Sequence, residues 1–320
     1  MGGECAIGLS DCRDGRAEKE PTMKYFVVRG ETRHLDQLTR AELRGEFLEC
    51  SAGITHYEMT GPEGGEVVVF AGSLTTPLFY WDQLVSRLHS RGFRTLTYSP
   101  YGRGYSDRVQ ATYDEALMVG QLADLTHRLD LAEPFHVVGA SMGALVAMAF
   151  AQQHTARIAT LTLAGPAGLQ PAPFVAAVLR NKTAGTFLAK QLGSKMLDRH
   201  LSHNVRDPER SAALTAMVRE AYQFEGSIYA LSATIADFPL GGRQELYRRT
   251  GRLPIPKLLL WGDEDAVTPI TSFDEVTALL APTESHILSP CGHMVPFEEP
   301  AEMGLRFHAF VDAAREEMSR

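Results

Sequence analysis

Several features are scarce or missing in the 320-residue sequence, and each absence narrows the range of functions. No apolar run approaches the roughly 18 residues that a membrane-spanning helix requires. Lys and Arg total 31 against 39 Asp and Glu, so the formal net charge is −8. A chain of this charge lacks the basic footprint that nucleic-acid binding needs. We therefore expect neither a nucleic-acid partner nor a membrane span.

Cysteine is also scarce. The four thiols, at Cys5, Cys12, Cys50 and Cys291, show neither a CxxC pair nor a zinc-binding spacing, which favours reduced thiols in the cytoplasm. The first 22 residues lack the basic and apolar regions of a secretory signal peptide. We therefore predict a cytoplasmic protein with a disordered lead at residues 1–22.

Strand-like and helix-like segments alternate along most of the chain. Short apolar runs, typical of strands buried on both faces, are separated by segments whose apolar residues recur at helical spacing. The strand-like runs lie at 46–50, 54–59, 66–71, 93–98, 135–139, 158–164, 255–262 and 284–289. Parallel strands joined by helices form right-handed crossovers. The pattern therefore predicts an α/β fold with a mostly parallel eight-stranded sheet flanked by helices.

The alternation stops between residues 171 and 250, where helix-like segments occur without a buried strand. This insertion follows the sixth predicted strand, and open parallel sheets bind ligands beyond the carboxyl ends of their strands. We therefore predict a helical cap at 171–250, above a core formed by residues 23–170 and 251–320.

One G-x-S-x-G sequence, with Ser141 between Gly139 and Gly143, lies between the fifth predicted strand and an alanine-rich helix. A nucleophile elbow requires this strand, turn and helix, because glycines leave room for a strained serine at the tip of a sharp turn. A serine that caps a helix in a glycine-rich turn is the alternative. A base and an acid later in the chain would decide between them.

Two later loops supply those groups. A serine hydroxyl becomes nucleophilic when an imidazole takes its proton, and a carboxylate orients that imidazole. His293 follows the last predicted strand in the loop SPCGHMVPFEEP and is the candidate base. The loop after the seventh strand, LLLWGDEDAVTP, offers Asp263, Glu264 and Asp265. Asp265 is preferred because it lies beyond the last pleat of the strand, with Asp263 as the alternative.

The motifs YGRGYSDR, GASMG, LLLWGDEDAVTP and CGHMVPFEEP resemble those of the α/β-hydrolase superfamily. The resemblance covers about residues 46–318 and is closest to compact bacterial serine hydrolases with a helical cap, similar to carboxylesterases and lactonases. It implies that Asp265 is the acid and His293 the base. It also implies an oxyanion hole formed by the backbone amides of Ser73 and Met142.

Two positions depart from the family pattern. Ala71 stands where relatives carry the His of a His-Gly pair, which removes a side chain that braces the oxyanion loop but leaves its backbone donor. Ser99 stands where relatives more often carry Asp, and we expect a local rearrangement there without loss of chemistry. Leu74, Phe174 and Tyr222 are candidates for lining an apolar substrate pocket.

The leading hypothesis is a serine hydrolase that uses no metal or other cofactor and cleaves a small, largely apolar carboxylic ester or lactone through an acyl-enzyme. Hydrolysis of a thioester or a C–C bond by the same triad is the alternative, although C–C hydrolases usually surround the serine with more polar neighbours than Ala140 and Ala144. A non-hydrolytic ligand-binding member of the fold is a third hypothesis, favoured by Ala71 and Ser99 alone. Epoxide hydrolysis and dehalogenation would need a carboxylate where Ser141 stands. The oligomeric state is left open.

Overall fold

A computed structural model describes residues 25–318, so the predicted disordered lead at 1–22 lies outside the described residues. In this part of the chain eight strands form one sheet. They are β1 (Glu46–Glu49), β2 (Ile54–Thr60), β3 (Val67–Ala71), β4 (Arg94–Tyr98), β5 (Phe135–Ala140), β6 (Ile158–Ala164), β7 (Lys257–Gly262) and β8 (Glu284–Leu288). Their order is β1-β2-β4-β3-β5-β6-β7-β8. Strand β2 is antiparallel to β1 and β4 and the remaining pairs are parallel, which confirms the predicted sheet.

Helices cover both faces of the sheet. Those on one face are α2 (Asp82–His89), α11 (Val295–Glu298) and α12 (Pro300–Met318), and those on the other are α3 (Glu115–Arg128), α4 (Met142–Gln153), α9 (Gln244–Gly251) and α10 (Phe273–Leu280). A short helix α1 (Gln37–Glu42) precedes β1. Strands β3, β5 and β7 are buried along their whole length, as expected for strands covered on both faces. Among the described residues, no helix is both long and apolar enough to cross a membrane.

Alternate side chains of each strand enter different apolar clusters. In β3, Val67 and Val69 pack with α3 and α4, whereas Val68 and Phe70 pack with α2 and α12. This follows from the two-residue period of a strand. The sheet therefore separates two layers of core, and its carboxyl edge is free to carry loops.

Four helices lie between β6 and α9, in the segment predicted to form the cap. They are α5 (Phe174–Leu179), α6 (Lys182–Leu201), α7 (Pro208–Ala221) and α8 (Ser227–Asp237). The division into core and cap remains a prediction. Helix α9 also falls within the predicted cap range, but Leu246 and Tyr247 pack in the cluster of α4 and α10.

Two buried charged side chains connect helix α8 to segments elsewhere in the chain. Arg108 Nη2 donates to Ser227 Oγ at 2.7 Å, and Glu31 accepts a bond from the Ile228 amide at 2.7 Å. Charged groups are costly to bury without hydrogen-bond partners, so these contacts fix the start of α8. Packing of the segment around Glu31 against α8 was not predicted from the sequence.

Candidate active site

Ser141 occupies the sharp turn between β5 and α4. Its φ of 55° and ψ of −119° are uncommon for a residue other than glycine. Its amide donates to the Ala164 carbonyl at 3.1 Å, and its own carbonyl accepts from the amides of Ala144 and Ala167 at 3.1 and 3.2 Å. These bonds hold the strained turn at the carboxyl edge of the sheet, as expected for a nucleophile elbow.

Close backbone packing explains both glycines of the motif. A Cβ on Gly139 would lie 2.6 Å from the carbonyl oxygen of Gly143, and a Cβ on Gly143 would lie 2.1 Å from the carbonyl oxygen of Ala71. Since both obstacles are backbone atoms, no rotamer change would relieve them. The missing side chain at Gly143 lets the start of α4, with Met142, lie against the end of β3, which leads to Ser73.

Three predicted site residues form one hydrogen-bonded chain. The Nε2 atom of His293 lies 2.9 Å from Ser141 Oγ, and its Nδ1 atom lies 2.8 Å from Asp265 Oδ2. The side chains of His293 and Asp265 are 1% and 0% exposed, so water does not compete for these bonds. Because the carboxylate accepts, Nδ1 carries the proton and Nε2 is left to accept from the serine hydroxyl.

Hydrogen-bond donors in the loop that contains Asp265 hold its carboxylate in place. Its Oδ1 atom accepts from the amides of Val267 and Thr268 at 2.8 and 2.7 Å, and its Oδ2 atom accepts from the Thr268 hydroxyl at 2.6 Å. The same hydroxyl lies 3.3 Å from His293 Nδ1. Such charge-assisted bonds hold the carboxylate toward the imidazole. Thr268 was not predicted; its only signal is its place just before Pro269 in the acid loop.

The two neighbouring acids make other contacts. Asp263 Oδ1 accepts from the Cys291 amide at 3.0 Å, and the Ser289 side chain, its main hydrogen-bond donor, lowers the pKa of Asp263. Glu264 pairs with Arg206 at 2.7 Å on the surface. Asp263 therefore fastens the loop that carries the histidine, and the structure does not bring this alternative acid to the imidazole.

A buried carboxylate holds the other side of that loop. Glu298, 4% exposed, accepts from the amides of Gly292 and Met294 at 3.2 and 3.1 Å. It also accepts from the Arg206 amide at 2.9 Å, in the segment between α6 and α7. Because the first two amides flank His293, Glu298 positions the histidine. Sequence reasoning missed this role, although Glu298 stands in the quoted loop motif.

Ser73 and Met142, the predicted oxyanion donors, are each 1% exposed. Met142 is the first residue of α4, so its amide has no partner within the helix and lies at the positive end of the helix dipole. Ala71 pairs in register with Gly139, which fixes the backbone before Ser73 without the family histidine. The oxyanion role of both amides remains a prediction.

Two buried polar side chains brace the loops around these amides. Arg103 Nε donates to the Leu74 carbonyl at 2.7 Å. Ser99 Oγ lies 3.1 Å from Nδ1 of His56, whose pKa is lowered to about 3 by burial, so the neutral ring accepts. A Cβ on Gly104 would lie 2.2 Å from Ser99 Oγ. The missing side chain at Gly104 therefore lets this turn lie directly against Ser99.

A cavity of about 310 Å³ opens above Ser141 and is lined mainly by apolar side chains from loops at the carboxyl edge of the sheet and from helices α5, α6 and α8. Its apolar lining includes Leu74, Met142, Val175, Met196, Leu231 and Ile235. The sequence predicted a pocket at Leu74, and the structure places Leu74 there. Pockets of this size and character suit small molecules.

The other two predicted pocket residues do not line this cavity. Phe174, at the start of α5, is 88% exposed, so its ring points away from the protein. Tyr222 is buried in an apolar cluster with Leu214 and Val218 of α7. Both aromatics lie in the predicted cap, but the packing of its helices orients them elsewhere.

The described cysteines, Cys50 and Cys291, are free and buried. Burial raises the pKa of the Cys291 thiol, so it stays protonated although it lies two residues from His293. Within residues 25–318, no three His, Cys, Asp or Glu side chains are grouped closely enough to hold a metal ion.

Comparison with known proteins extends these observations. A family model described as "Alpha/beta hydrolase family" matches residues 67–303, more than half of the chain. The chain is 25% identical over 253 residues to 2-hydroxy-6-oxononadienedioate/2-hydroxy-6-oxononatrienedioate hydrolase 1 of Pseudomonas putida, covering 76% of this chain and 86% of the relative. An esterase from Thermogutta terrifontis has a TM-score of 0.71 at 20% identity, covering 85% of this chain and 99% of that structure. The enol-lactonase from Burkholderia xenovorans LB400 has a TM-score of 0.70 at 21% identity, covering 83% and 100%. The protein belongs to the alpha/beta hydrolase family.

Proposed function

We propose that the protein is a serine hydrolase that cleaves a small, largely apolar carboxylic ester or lactone through an acyl-enzyme, without a metal or other cofactor. The observation that carries the proposal is the chain of hydrogen bonds from Ser141 through His293 to Asp265, at 2.9 and 2.8 Å, below an apolar cavity. Hydrolase activity is further supported by membership of the family.

In the proposed mechanism, His293 takes the hydroxyl proton as Ser141 Oγ attacks the substrate carbonyl carbon. Asp265 stabilises the imidazolium that forms. The amides of Ser73 and Met142 bind the oxyanion of the tetrahedral intermediate, where each preorganised donor is worth about 3–4 kcal/mol. His293 then gives its proton to the leaving alcohol oxygen, and the C–O bond breaks.

The second half of the reaction releases the acid. A water molecule attacks the acyl carbon while His293 removes its proton, and the collapse of the second tetrahedral intermediate breaks the bond to Ser141. The proton on His293 returns to Ser141 Oγ. One water is consumed, and one acid and one alcohol are formed, or a single hydroxy acid when the substrate is a lactone.

C–C bond hydrolysis by the same three residues is the alternative, and family membership supports it as well as it supports ester cleavage. The Pseudomonas putida relative is named for a dienedioate, a compound with two carboxylates. Of the described residues that line the cavity, none is Lys or Arg. Two carboxylates would lose hydration there without gaining an ion pair, which favours an uncharged ester or lactone.

A fluorophosphonate probe tests the nucleophile. We expect the native protein to gain one phosphonyl group on the peptide that contains Ser141, as measured by mass spectrometry, and Ser141→Ala to gain none. Ser194→Ala, an exposed serine on α6, is the matched control and should label like the native protein. A native protein that fails to label would refute the mechanism and leave a non-hydrolytic binding role.

A substrate panel tests the bond type. We expect kcat/KM to be highest for an uncharged aryl or alkyl ester or a lactone, and lowest for a ring-cleavage diketone with two carboxylates. A tenfold or greater preference for the dicarboxylate diketone would establish the C–C reaction in place of ester hydrolysis. A thioester with the same acyl group completes the panel.

A further inference from the structure

One ionisable side chain faces the substrate cavity and has no part in the proposed mechanism. His200 lies one residue before the end of α6, and its partly buried ring lines the cavity together with Ser141 and Thr268. It is the only acidic or basic side chain among the described residues that form the lining. Its position on the cap places it opposite the sheet edge that carries the nucleophile.

The ring of His200 has unused hydrogen-bonding capacity. Within residues 25–318 it makes no hydrogen bond and no ion pair. Burial, with smaller contributions from His293 and His203, lowers its pKa to about 4, so the ring is neutral near pH 7. A neutral imidazole carries one donor and one acceptor, so both remain available to a molecule that enters the cavity. A polar group of a bound molecule would satisfy them.

The surroundings of His200 indicate which part of the substrate it meets. It lines the same cavity as Ser141 and Thr268, and the Thr268 hydroxyl lies 3.3 Å from His293 Nδ1. In the proposed mechanism His293 protonates the leaving oxygen, so the alcohol portion of the ester must lie beside that imidazole. We therefore assign the alcohol portion to the part of the cavity near His200, because most of the remaining lining is apolar and suits a hydrocarbon chain.

We propose that His200 is a specificity-determining residue that hydrogen-bonds a hydroxyl group on the alcohol portion of the substrate. The preferred substrates are then monoesters of a polyhydroxy alcohol, such as a glycerol monoester, with an apolar acyl chain. This inference rests on the proposed ester hydrolysis and narrows its substrate class. Neutrality of the ring matters here, because a neutral imidazole pairs with an uncharged hydroxyl without requiring a counter-ion.

Two esters that differ only in hydroxyl groups provide the test: glycerol 1-monobutyrate and propyl butyrate, which share an acyl chain and an alcohol of three carbons. We expect His200→Leu to lower kcat/KM for the glycerol ester by about tenfold, the effect of losing one hydrogen bond to substrate. The same variant should leave propyl butyrate within about threefold. His200→Gln, which keeps a donor and an acceptor, should restore most of the lost activity on the glycerol ester.

The exposed neighbour His203 supplies the control, and His203→Leu should leave the ratio of the two esters unchanged. A native enzyme that cleaves both esters, with a ratio that His200→Leu does not move, overturns the inference and leaves the proposed function intact. An equal loss on both esters also overturns it, because the side chain would then act on folding or on the chemistry. A native protein that cleaves neither ester and resists the fluorophosphonate overturns the proposed function itself.

Discussion

Replacement of Gly143 by alanine is expected to disable the active site by moving backbone. The new Cβ would lie 2.1 Å from the carbonyl oxygen of Ala71, whereas real Cβ atoms essentially never approach within 3.0 Å of another atom. The contact must therefore open by about 0.9 Å. Either the start of α4 or the end of β3 must yield, and the first carries Met142 while the second leads to Ser73.

Whichever segment moves, the distance between the two predicted oxyanion donors changes. A displacement near 1 Å costs on the order of 100-fold in rate, and loss of one oxyanion donor costs about 100- to 1,000-fold. We expect kcat of Gly143→Ala on an activated butyrate ester to fall by about 100-fold or more. The KM should change less, because most of the side chains that line the apolar cavity lie on segments that the substitution does not touch.

Gly120 offers a matched control within helix α3. A Cβ there would have no atom within 4 Å, and the residue is exposed. Gly120→Ala should keep full activity and raise the free energy of unfolding by about 0.5–1 kcal/mol, because alanine is the better helix former. Circular dichroism and thermal unfolding would show that both variants are folded at the assay temperature. A folded Gly143→Ala protein with kcat within threefold of the native value would refute the reasoning.

Two further predictions concern charge and protonation. Asp265→Asn should lower kcat by about 1,000- to 10,000-fold, because an amide at this position favours the wrong tautomer of the His293 imidazole. Asp263→Asn keeps an oxygen that accepts from the Cys291 amide, so its kcat should stay within tenfold of the native value. Steady-state kinetics on one ester compares the two variants. Because burial lowers the pKa of His56 to about 3 from 6.5, the unfolded chain binds a proton below pH 6.5 that the folded protein rejects until about pH 3. The free energy of unfolding should therefore fall as the pH drops through this window, by about 2 kcal/mol at pH 5. Urea unfolding at pH 7.5 and 5 should show that His56→Gln loses this part of the pH dependence, and an unchanged dependence would contradict the assignment.

The sheet could be predicted because its signal is local. A strand buried on both faces must be apolar along its length, and Gly, Pro and charged residues mark where it ends. The sequence indicates a strand at 158–164 and a helix at about 142–153, and the structure has Ile158–Ala164 and Met142–Gln153. Neither boundary depends on contacts that are distant in the chain.

The three chemical groups could be placed for a related reason. Ser141, Asp265 and His293 each follow the carboxyl end of a strand, and β5, β7 and β8 run parallel, so those ends meet at one edge. Chain order and topology therefore suffice to bring them together. The supporting groups were missed because their roles depend on side-chain hydrogen bonds that the sequence does not reveal. Thr268 donates to Asp265 in its own loop, and Glu298 accepts from the amides of Gly292 and Met294, which precede it in the sequence.

The packing of α5 to α8, the helices of the predicted cap, was harder to predict because these helices do not follow the rule that large apolar residues are buried. In α6 the buried stripe includes Gly185, Ala189 and Gly193, spaced four residues apart, and a Cβ on Gly193 would lie 2.4 Å from Ile228 of α8. Small residues let the two helices approach closely, and Phe187 is left 69% exposed. An expectation based on aromatic content, such as the one for Phe174, fails where packing relies on small residues.

We expect the chemistry of the site and its substrate preference to depend on different parts of the protein. The groups proposed to perform the chemistry all lie on loops at the carboxyl edge of the sheet, whereas much of the cavity lining comes from helices α5, α6 and α8. Substitutions on α6 that point into the cavity should therefore change which ester is cleaved without changing the reaction of Ser141 with a small fluorophosphonate. The glycerol ester pair reports on the side chains of α6, and the phosphonate reports on the reactivity of Ser141. A variant of His200 that lost phosphonate labelling while remaining folded would show that α6 also organises the nucleophile, and the substrate preference would then not be separable from the chemistry.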